Sequence, residues 1–168
     1  IDITSDLISC KSITPTNDGA IEKIEKILTG YGFTCKILEF GKGKLKVKNL
    51  YAFFKCGKGP NICFAGHTDV VPPGNISQWK TNPFLSTIKN NRLYGRGASD
   101  MKGAIGAYIE AIINLINYKK TFNGTISLLI TGDEEGEANY GTKKVIDWLI
   151  KRKIKIDFCL VGEPTNPK

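Results

Sequence analysis

The only histidine of this chain, His67, lies at the end of an apolar segment and two residues before Asp69. Alternation along an extended backbone places both side chains on the same side. Asp69 can then accept a hydrogen bond from one ring nitrogen and leave the other nitrogen free to bind a metal ion, a common arrangement around a histidine ligand. Taken alone, a single histidine is more often a hydrogen-bonded core or surface residue, so its role depends on its neighbours.

Acidic residues occupy comparable places elsewhere in the sequence. Two further apolar runs lead into acids, the first into the adjacent Glu134 and Glu135 and the second into Glu163. Asp100 precedes a long apolar helical pattern. Each also has an ordinary alternative. Glu134 and Glu135 could lie in a solvated acidic turn, Glu163 could be a loop residue before proline, and Asp100 could cap the helix that follows it.

These residues would meet if the apolar runs are buried, parallel strands, because open α/β sheets bind ligands outside the carboxyl ends of their strands. Crowded carboxylates repel one another, and a divalent cation removes that cost. Oxygen ligands with one imidazole suit zinc, cobalt or manganese. Adjacent glutamates point in different directions, so one can bind metal while the other acts as a base. The pattern therefore predicts metal-assisted hydrolysis.

The elements that would position these residues alternate between helices and strands. In the second helix, Asp18 is a possible N-terminal cap and Gly30 is the expected end. Helical patterns cover residues 3–12, 18–30, 102–118 and 142–151. Strands are predicted at 33–40, 44–56, 61–71, 125–131 and 156–161, with a hairpin at 85–94 that turns at 89–91. This alternation predicts an α/β layered fold in which helices flank a mixed β-sheet.

Composition limits the class of protein. The 168 residues fit one domain, and no apolar stretch is long enough for a transmembrane helix. The net charge is +8, but the lysines alternate with Ile and Asn and accompany no recognition motif, so we expect neither a nucleic-acid nor a membrane partner. The five cysteines form no CxxC pair, which predicts free thiols in a cytoplasmic protein.

Four motifs together carry a family resemblance. They are GHTDVVPPG (66–74), LYGRGASDMKGA (93–104), TGDEEGEANYGT (131–142) and VGEPT (161–165). In this order and spacing they resemble the dinuclear metal-dependent amidohydrolases and peptidases, which include aminoacylases and acetylornithine deacetylase. The resemblance covers essentially the whole chain and implies a zinc-peptidase-like catalytic domain.

The resemblance implies a role for each site residue. Two divalent ions are expected, with Zn²⁺ as the first choice and Co²⁺ or Mn²⁺ as alternatives. The implied metal ligands are His67 and Glu163 on one ion, Glu135 on the other, and Asp100 between them. Asp69 would orient His67, and Glu134 would act as general acid and base. The peptide bond between Asp100 and Met101 is expected to be cis.

Within the family, the motifs are most similar to the branch that hydrolyses N-succinyl-LL-2,6-diaminopimelate to succinate and LL-2,6-diaminopimelate, a precursor of lysine and peptidoglycan. The resemblance thus implies a small-molecule substrate. A sibling amidase such as acetylornithine deacetylase and a non-catalytic metal-binding fragment are the alternatives. Members of this type are usually homodimers that associate through a lid domain.

The chain departs from the family pattern beside and beyond the motifs. Ser99 and Ala104 replace the expected Ala and Gly near Asp100. The family also needs a second histidine ligand after a lid and dimerisation domain, and residues 1–168 hold none. We therefore expect 1–168 to be the N-terminal part of the metallohydrolase catalytic domain, without the lid/dimerisation domain and C-terminal catalytic segment, and inactive alone.

Overall fold

A five-stranded mixed β-sheet forms the centre of the molecule. The structure, a computed structural model, describes residues 1–118 and 122–165. In chain order, the strands are β1 (Thr34–Phe40), β2 (Val47–Cys56), β3 (Asn61–His67), β4 (Thr87–Lys89), β5 (Arg92–Tyr94), β6 (Gly124–Thr131) and β7 (Phe158–Val161). β4 and β5 form a separate hairpin, and the others make one sheet in the order β1-β2-β6-β3-β7. β6, β3 and β7 are parallel neighbours, whereas β2 pairs antiparallel with β1 and β6.

Within the described residues, four α-helices cover the two faces of this sheet. They are α1 (Asp2–Ser9), α2 (Ala20–Gly30), α3 (Gly103–Tyr118) and α4 (Thr142–Lys151). The first three share one hydrophobic core with the sheet, in which Ile24 and Ile109 are fully buried. α4 packs in a second cluster, where Val145 lies with Tyr51 of β2. This layered architecture confirms the predicted α/β fold with helices flanking a mixed sheet.

The first helix is shorter than its pattern predicted. α1 ends at Ser9 instead of Ser12, because the chain then extends and Ile13 forms a parallel bridge with Val70. A contact between residues so distant in sequence leaves no trace in helical periodicity. The extended segment becomes important for the site described below.

The predicted cap of the second helix is wrong. α2 begins at Ala20, and the carboxylate of Asp18 accepts a hydrogen bond from the Lys11 N–H at 2.6 Å instead of capping the helix. The neighbouring Asn17 takes the expected role, because its Oδ1 accepts a hydrogen bond from the Ile21 N–H at 3.0 Å. Both residues are good acceptors for backbone N–H groups, so the sequence alone did not separate them.

The last strand is not buried as predicted. β7 lies at the edge of the sheet, and Phe158, Leu160 and Val161 are 62%, 54% and 59% exposed. Its only described strand neighbour is β3, which explains why an apolar sequence remains accessible. β3 also ends at His67, four residues earlier than predicted, where the chain leaves the sheet.

The structure shows the state of the cysteines and the character of the helices, which were both predicted from composition. All five cysteines are free, as predicted, and Cys10 and Cys63 are buried. Burial raises the pKa of the Cys63 thiol to about 11, so this group is an uncharged part of the core. In the described part of the chain, no helix combines the length and the apolar character needed to cross a membrane.

Substitution of glycine by alanine should have opposite effects on the free energy of unfolding at Gly106 and at Gly30. A Cβ at Gly106 of α3 would clash with Thr4 Oγ1 and would lie 3.3 Å from Thr4 Cβ, whereas nothing lies within 4 Å of a Cβ at Gly30. We expect Gly106→Ala to lower the free energy of unfolding by about 1–3 kcal/mol through overpacking. Gly30→Ala should raise it by about 0.5–1 kcal/mol, since alanine loses less backbone entropy. Urea unfolding of both variants tests this, and stabilisation by Gly106→Ala would contradict the close approach of α1 and α3.

Candidate metal centre

The carboxyl ends of three parallel strands bring the predicted residues to one edge of the sheet. His67 is the last residue of β3 and pairs with Thr131, the last residue of β6. Glu163 lies two residues beyond the end of β7. Because parallel neighbours end at the same edge, residues distant in sequence meet there. The predicted convergence of these segments is confirmed.

His67 lies at the centre of this edge, with its side chain only 1% exposed. Its Nε2 is 3.0 Å from Asp100 Oδ1, 3.4 Å from Glu163 Oε1 and 3.8 Å from Glu134 Oε2. Glu135 places a carboxylate oxygen within 4.8 Å of ligand atoms of His67 and Asp100. All the predicted metal ligands and the predicted base therefore share one site.

Asp69 is fully buried and links two segments of the site. Its carboxylate oxygens accept hydrogen bonds from the Glu134 N–H at 3.1 and 3.2 Å, and its Oδ2 accepts one from the Glu135 N–H at 3.0 Å. The main-chain oxygen of Asp69 is 2.9 Å from His67 Nδ1, and Oδ1 is 3.6 Å from the same nitrogen. Asp69 thus touches the imidazole mainly through its main chain, while its carboxylate ties the end of β3 to the next loop.

These contacts orient the His67 ring. The Asp69 carbonyl can only accept a hydrogen bond, so Nδ1 carries a proton and donates to it, while Nε2 faces Asp100 Oδ1 at 3.0 Å. Burial opposes the charged ring, but hydrogen bonds to Asp69 and the charges of Asp69 and Glu163 outweigh it and raise the pKa of His67 to about 9. A cation that binds at Nε2 would compete with a proton for this nitrogen.

Asp133 supports the site and was missed by sequence reasoning. The residue is 5% exposed, and its carboxylate accepts hydrogen bonds from the Ala138 N–H at 3.2 Å and the Tyr140 N–H at 2.9 Å. Its own N–H donates to Thr131 Oγ1 at 3.1 Å. The carboxylate therefore closes the loop that carries the two adjacent glutamates. The available signal was a short acidic side chain directly after a strand, which commonly binds nearby backbone N–H groups.

Asp100 lies in the kinked segment Ala98–Lys102, which directly precedes α3. Its backbone is not helical, with φ −124° and ψ 99°, and its carboxylate contacts His67. This geometry differs from the helix cap considered as the alternative. The Asp100–Met101 peptide bond is cis, which confirms the expectation from the resemblance. Met101 also contributes to the site, because its sulfur accepts a hydrogen bond from the His67 N–H at 3.3 Å.

Burial and crowding of the carboxylates raise the pKa of two of the acids. Burial raises the pKa of Glu163, and the nearby charges of Asp100 and Glu134 raise it further. Burial also raises the pKa of Glu135, and the same two charges add to the effect. Since like charges are brought together around one imidazole, a divalent cation is a group that would relieve the repulsion.

The arrangement of donor atoms fits such an ion. Two groups of three side chains each place their ligand atoms within 4.8 Å of one another. The first group is His67, Asp100 and Glu135, and the second is His67, Glu134 and Glu163. One imidazole nitrogen with several carboxylate oxygens suits Zn²⁺, Co²⁺ or Mn²⁺ and differs from an all-oxygen calcium site. This edge of the sheet is therefore a candidate metal centre.

The contacts of Asp69 predict that its charge holds the site together. In Asp69→Asn, an amide N–H₂ would replace one of the acceptors that face backbone N–H groups. We expect the free energy of unfolding to fall by about 1–3 kcal/mol and the affinity for Co²⁺ to fall about 10- to 100-fold. Urea unfolding and Co²⁺ titration measure these effects. The exposed Asp147→Asn in α4 makes the same chemical change as a control and should alter neither, and equal behaviour of the two variants would contradict this role of Asp69.

Comparison with curated proteins finds relatives over nearly the whole chain. Succinyl-diaminopimelate desuccinylase from Pelagibacter ubique is 57% identical over 169 residues, covering 99% of this chain and 44% of the relative. The protein of the same name from the Wolbachia of Brugia malayi is 53% identical over 166 residues, covering 99% of this chain and 41% of the relative. The chain thus spans less than half the length of these relatives.

Solved structures share the fold. Human carnosine dipeptidase 1 aligns with a TM-score of 0.81 at 20% identity, covering 98% of this chain and 38% of that structure. An M20 family metallo-carboxypeptidase from Sulfolobus solfataricus aligns with a TM-score of 0.79 at 27% identity, covering 95% and 36%, respectively. The family model described as peptidase family M20/M25/M40 matches residues 63–168, the part that includes every predicted ligand and the predicted base. The chain belongs to this metallopeptidase family.

Proposed function

We propose that the complete gene product is a metal-dependent amide hydrolase that converts N-succinyl-LL-2,6-diaminopimelate and water to succinate and LL-2,6-diaminopimelate. The observation that carries this proposal is the convergence of His67 with four carboxylates at one sheet edge, in a family of metallopeptidases. Relatives named for this activity are 51–57% identical over 98–100% of the chain, which favours this substrate over acetylornithine.

The residues at this edge would hold two divalent ions, of which Zn²⁺ suits the donors best. His67 and Glu163 would bind one ion, Glu135 the other, and Asp100 both. When bound, such ions supply Lewis-acid activation of water and of the amide carbonyl. The short distances from His67 Nε2 to Asp100 and Glu163 support this assignment.

Glu134 would move the proton during hydrolysis. Its carboxylate is 50% exposed and therefore open to water and substrate, and its Oε2 lies 3.8 Å from His67 Nε2. Its main chain is fixed by the hydrogen bonds from its N–H to Asp69. Glu134 would accept a proton from the attacking water and deliver it to the leaving amine nitrogen, so that the amide C–N bond breaks and the amine leaves neutral.

The proposed activity would also need residues outside 1–168. The resemblance requires a second histidine ligand, and the relatives are more than twice as long as this chain. We infer that a C-terminal catalytic segment completes the metal centre and that a lid domain forms a homodimer. The free, partly buried cysteines support placing the enzyme in the cytoplasm.

The proposed function predicts that replacing the Glu134 carboxylate by an amide lowers turnover without changing the metal content. In the complete gene product loaded with Zn²⁺, Glu134→Gln should lower kcat for N-succinyl-LL-2,6-diaminopimelate by about 100- to 10,000-fold. Metal content should remain that of the wild type. Glu137→Gln, an exposed change in the same loop, should keep wild-type kcat.

The substrate comparison decides among the alternatives. Faster hydrolysis of N-acetylornithine than of the succinyl substrate by the wild type would indicate a sibling amidase. Absence of hydrolysis with either compound, despite bound metal, would indicate a non-catalytic metal-binding protein. Either result would reject the proposed reaction.

Separate expression of residues 1–168 tests how far the site depends on other segments. We expect this piece, with Zn²⁺ added, to show little or no hydrolysis of the succinyl substrate compared with the complete gene product. It should also bind the second ion more weakly, because a histidine ligand would be missing. Metal titration and product assay measure both effects, and turnover equal to that of the complete gene product would refute the dependence.

A further inference from the structure

The side chain of Lys102 is fully buried, two residues after Asp100, and the proposed reaction makes no use of it. Its Nζ donates hydrogen bonds to the main-chain oxygens of Leu7 and Cys10, each at 2.9 Å. These carbonyls lie at the C-terminal end of α1, where the helix dipole favours a positive charge. A buried ammonium is costly unless it is hydrogen-bonded, so these contacts fix the Lys102 side chain and the turn from which it projects.

The residues directly after α1 also hold the segment that contains His67. Ser12 is fully buried, and its Oγ donates a hydrogen bond to the main-chain oxygen of Thr68 at 2.6 Å. The main-chain oxygen of Ser12 accepts a hydrogen bond from the Val70 N–H at 2.9 Å. Since Thr68 directly follows His67, these bonds attach the end of β3 to the same extended segment.

The segment that carries Lys102 packs closely against the segment that carries Val70. A Cβ at Gly97 would lie 2.8 Å from Val70 Cγ1 and 3.0 Å from Lys102 Cδ. The Lys102 N–H also donates to the Gly97 main-chain oxygen at 2.8 Å. The turn that carries Asp100 therefore has little room to shift relative to the segment that carries His67.

We propose that Lys102 and Ser12 are positioning residues, which make residues 7–14 a common support for Asp100 and His67. The support acts through main-chain contacts and fixes the 3.0 Å separation between His67 Nε2 and Asp100 Oδ1. Neither residue touches the reacting atoms. This inference rests on the proposed metal site, in which His67 and Asp100 are both ligands.

Lys23 provides a matched control at the same end of α1. Its Nζ donates hydrogen bonds to the Asp6 main-chain oxygen at 3.0 Å and to Ser9 Oγ at 3.1 Å, and both bonds are exposed. Lys23→Met and Lys102→Met each remove one ammonium from this helix end. Only Lys102 is linked to the turn that carries Asp100.

The test compares Lys102→Met, Ser12→Ala and Lys23→Met in the complete gene product by Co²⁺ titration followed through the visible spectrum. We expect Lys102→Met and Ser12→Ala to bind Co²⁺ about tenfold more weakly and to show an altered spectrum, as when the surroundings of metal ligands are disturbed. Their kcat for the succinyl substrate should fall while KM stays near that of the wild type. Lys23→Met should match the wild type in affinity, spectrum and kcat.

Wild-type Co²⁺ affinity and spectrum in both Lys102→Met and Ser12→Ala would overturn the inference, even if their Tm falls, because the two residues would then serve stability alone. If Lys102→Met does not fold, Ser12→Ala decides by the same measurement. Failure of the wild type to bind Co²⁺ would reject the proposed function itself, and the positioning role with it.

Discussion

Electrostatic crowding around the His67 imidazole is the constraint on which the rest of this structure depends. Four carboxylates surround one nearly inaccessible ring, and burial together with mutual repulsion raises the pKa of Glu135 and Glu163. Such an arrangement is unfavourable without a positive charge at its centre. In the proposed holoenzyme, divalent ions would supply that charge.

Backbone contacts hold the segments that carry these charges together. Parallel pairing of β6, β3 and β7 sets the ends of three strands side by side. The buried carboxylates of Asp69 and Asp133 then bind main-chain N–H groups of the loop after β6. Lys102 binds the main-chain oxygens of Leu7 and Cys10 at the end of α1, and Ser12, in the segment after α1, binds the main-chain oxygen of Thr68. The segments that carry His67, Asp100, Glu134 and Glu135 are thereby attached to one another or to the end of α1.

The sequence was sufficient to predict the parts of the site that depend on strand ends. Apolar runs that stop directly before acids predict strands whose termini meet, and β3, β6 and β7 follow that rule. What the sequence did not reveal are contacts between side chains and distant main-chain atoms. The bonds from Lys102 to Leu7 and Cys10, like the bridge that ends α1 early, depend on tertiary packing and have no local pattern. The exposure of β7 was missed for a similar reason, since an apolar strand does not indicate whether it lies at a sheet edge.

The most direct test of this account is an anomalous-scattering map at the zinc absorption edge from crystals of the Zn²⁺-loaded complete gene product. The account predicts two strong peaks at the carboxyl edge of the sheet, one next to His67 Nε2 and Glu163 and the other next to Glu135, with the Asp100 carboxylate between them. Zinc peaks that lie away from these side chains, or an edge without zinc in an active enzyme, would contradict it.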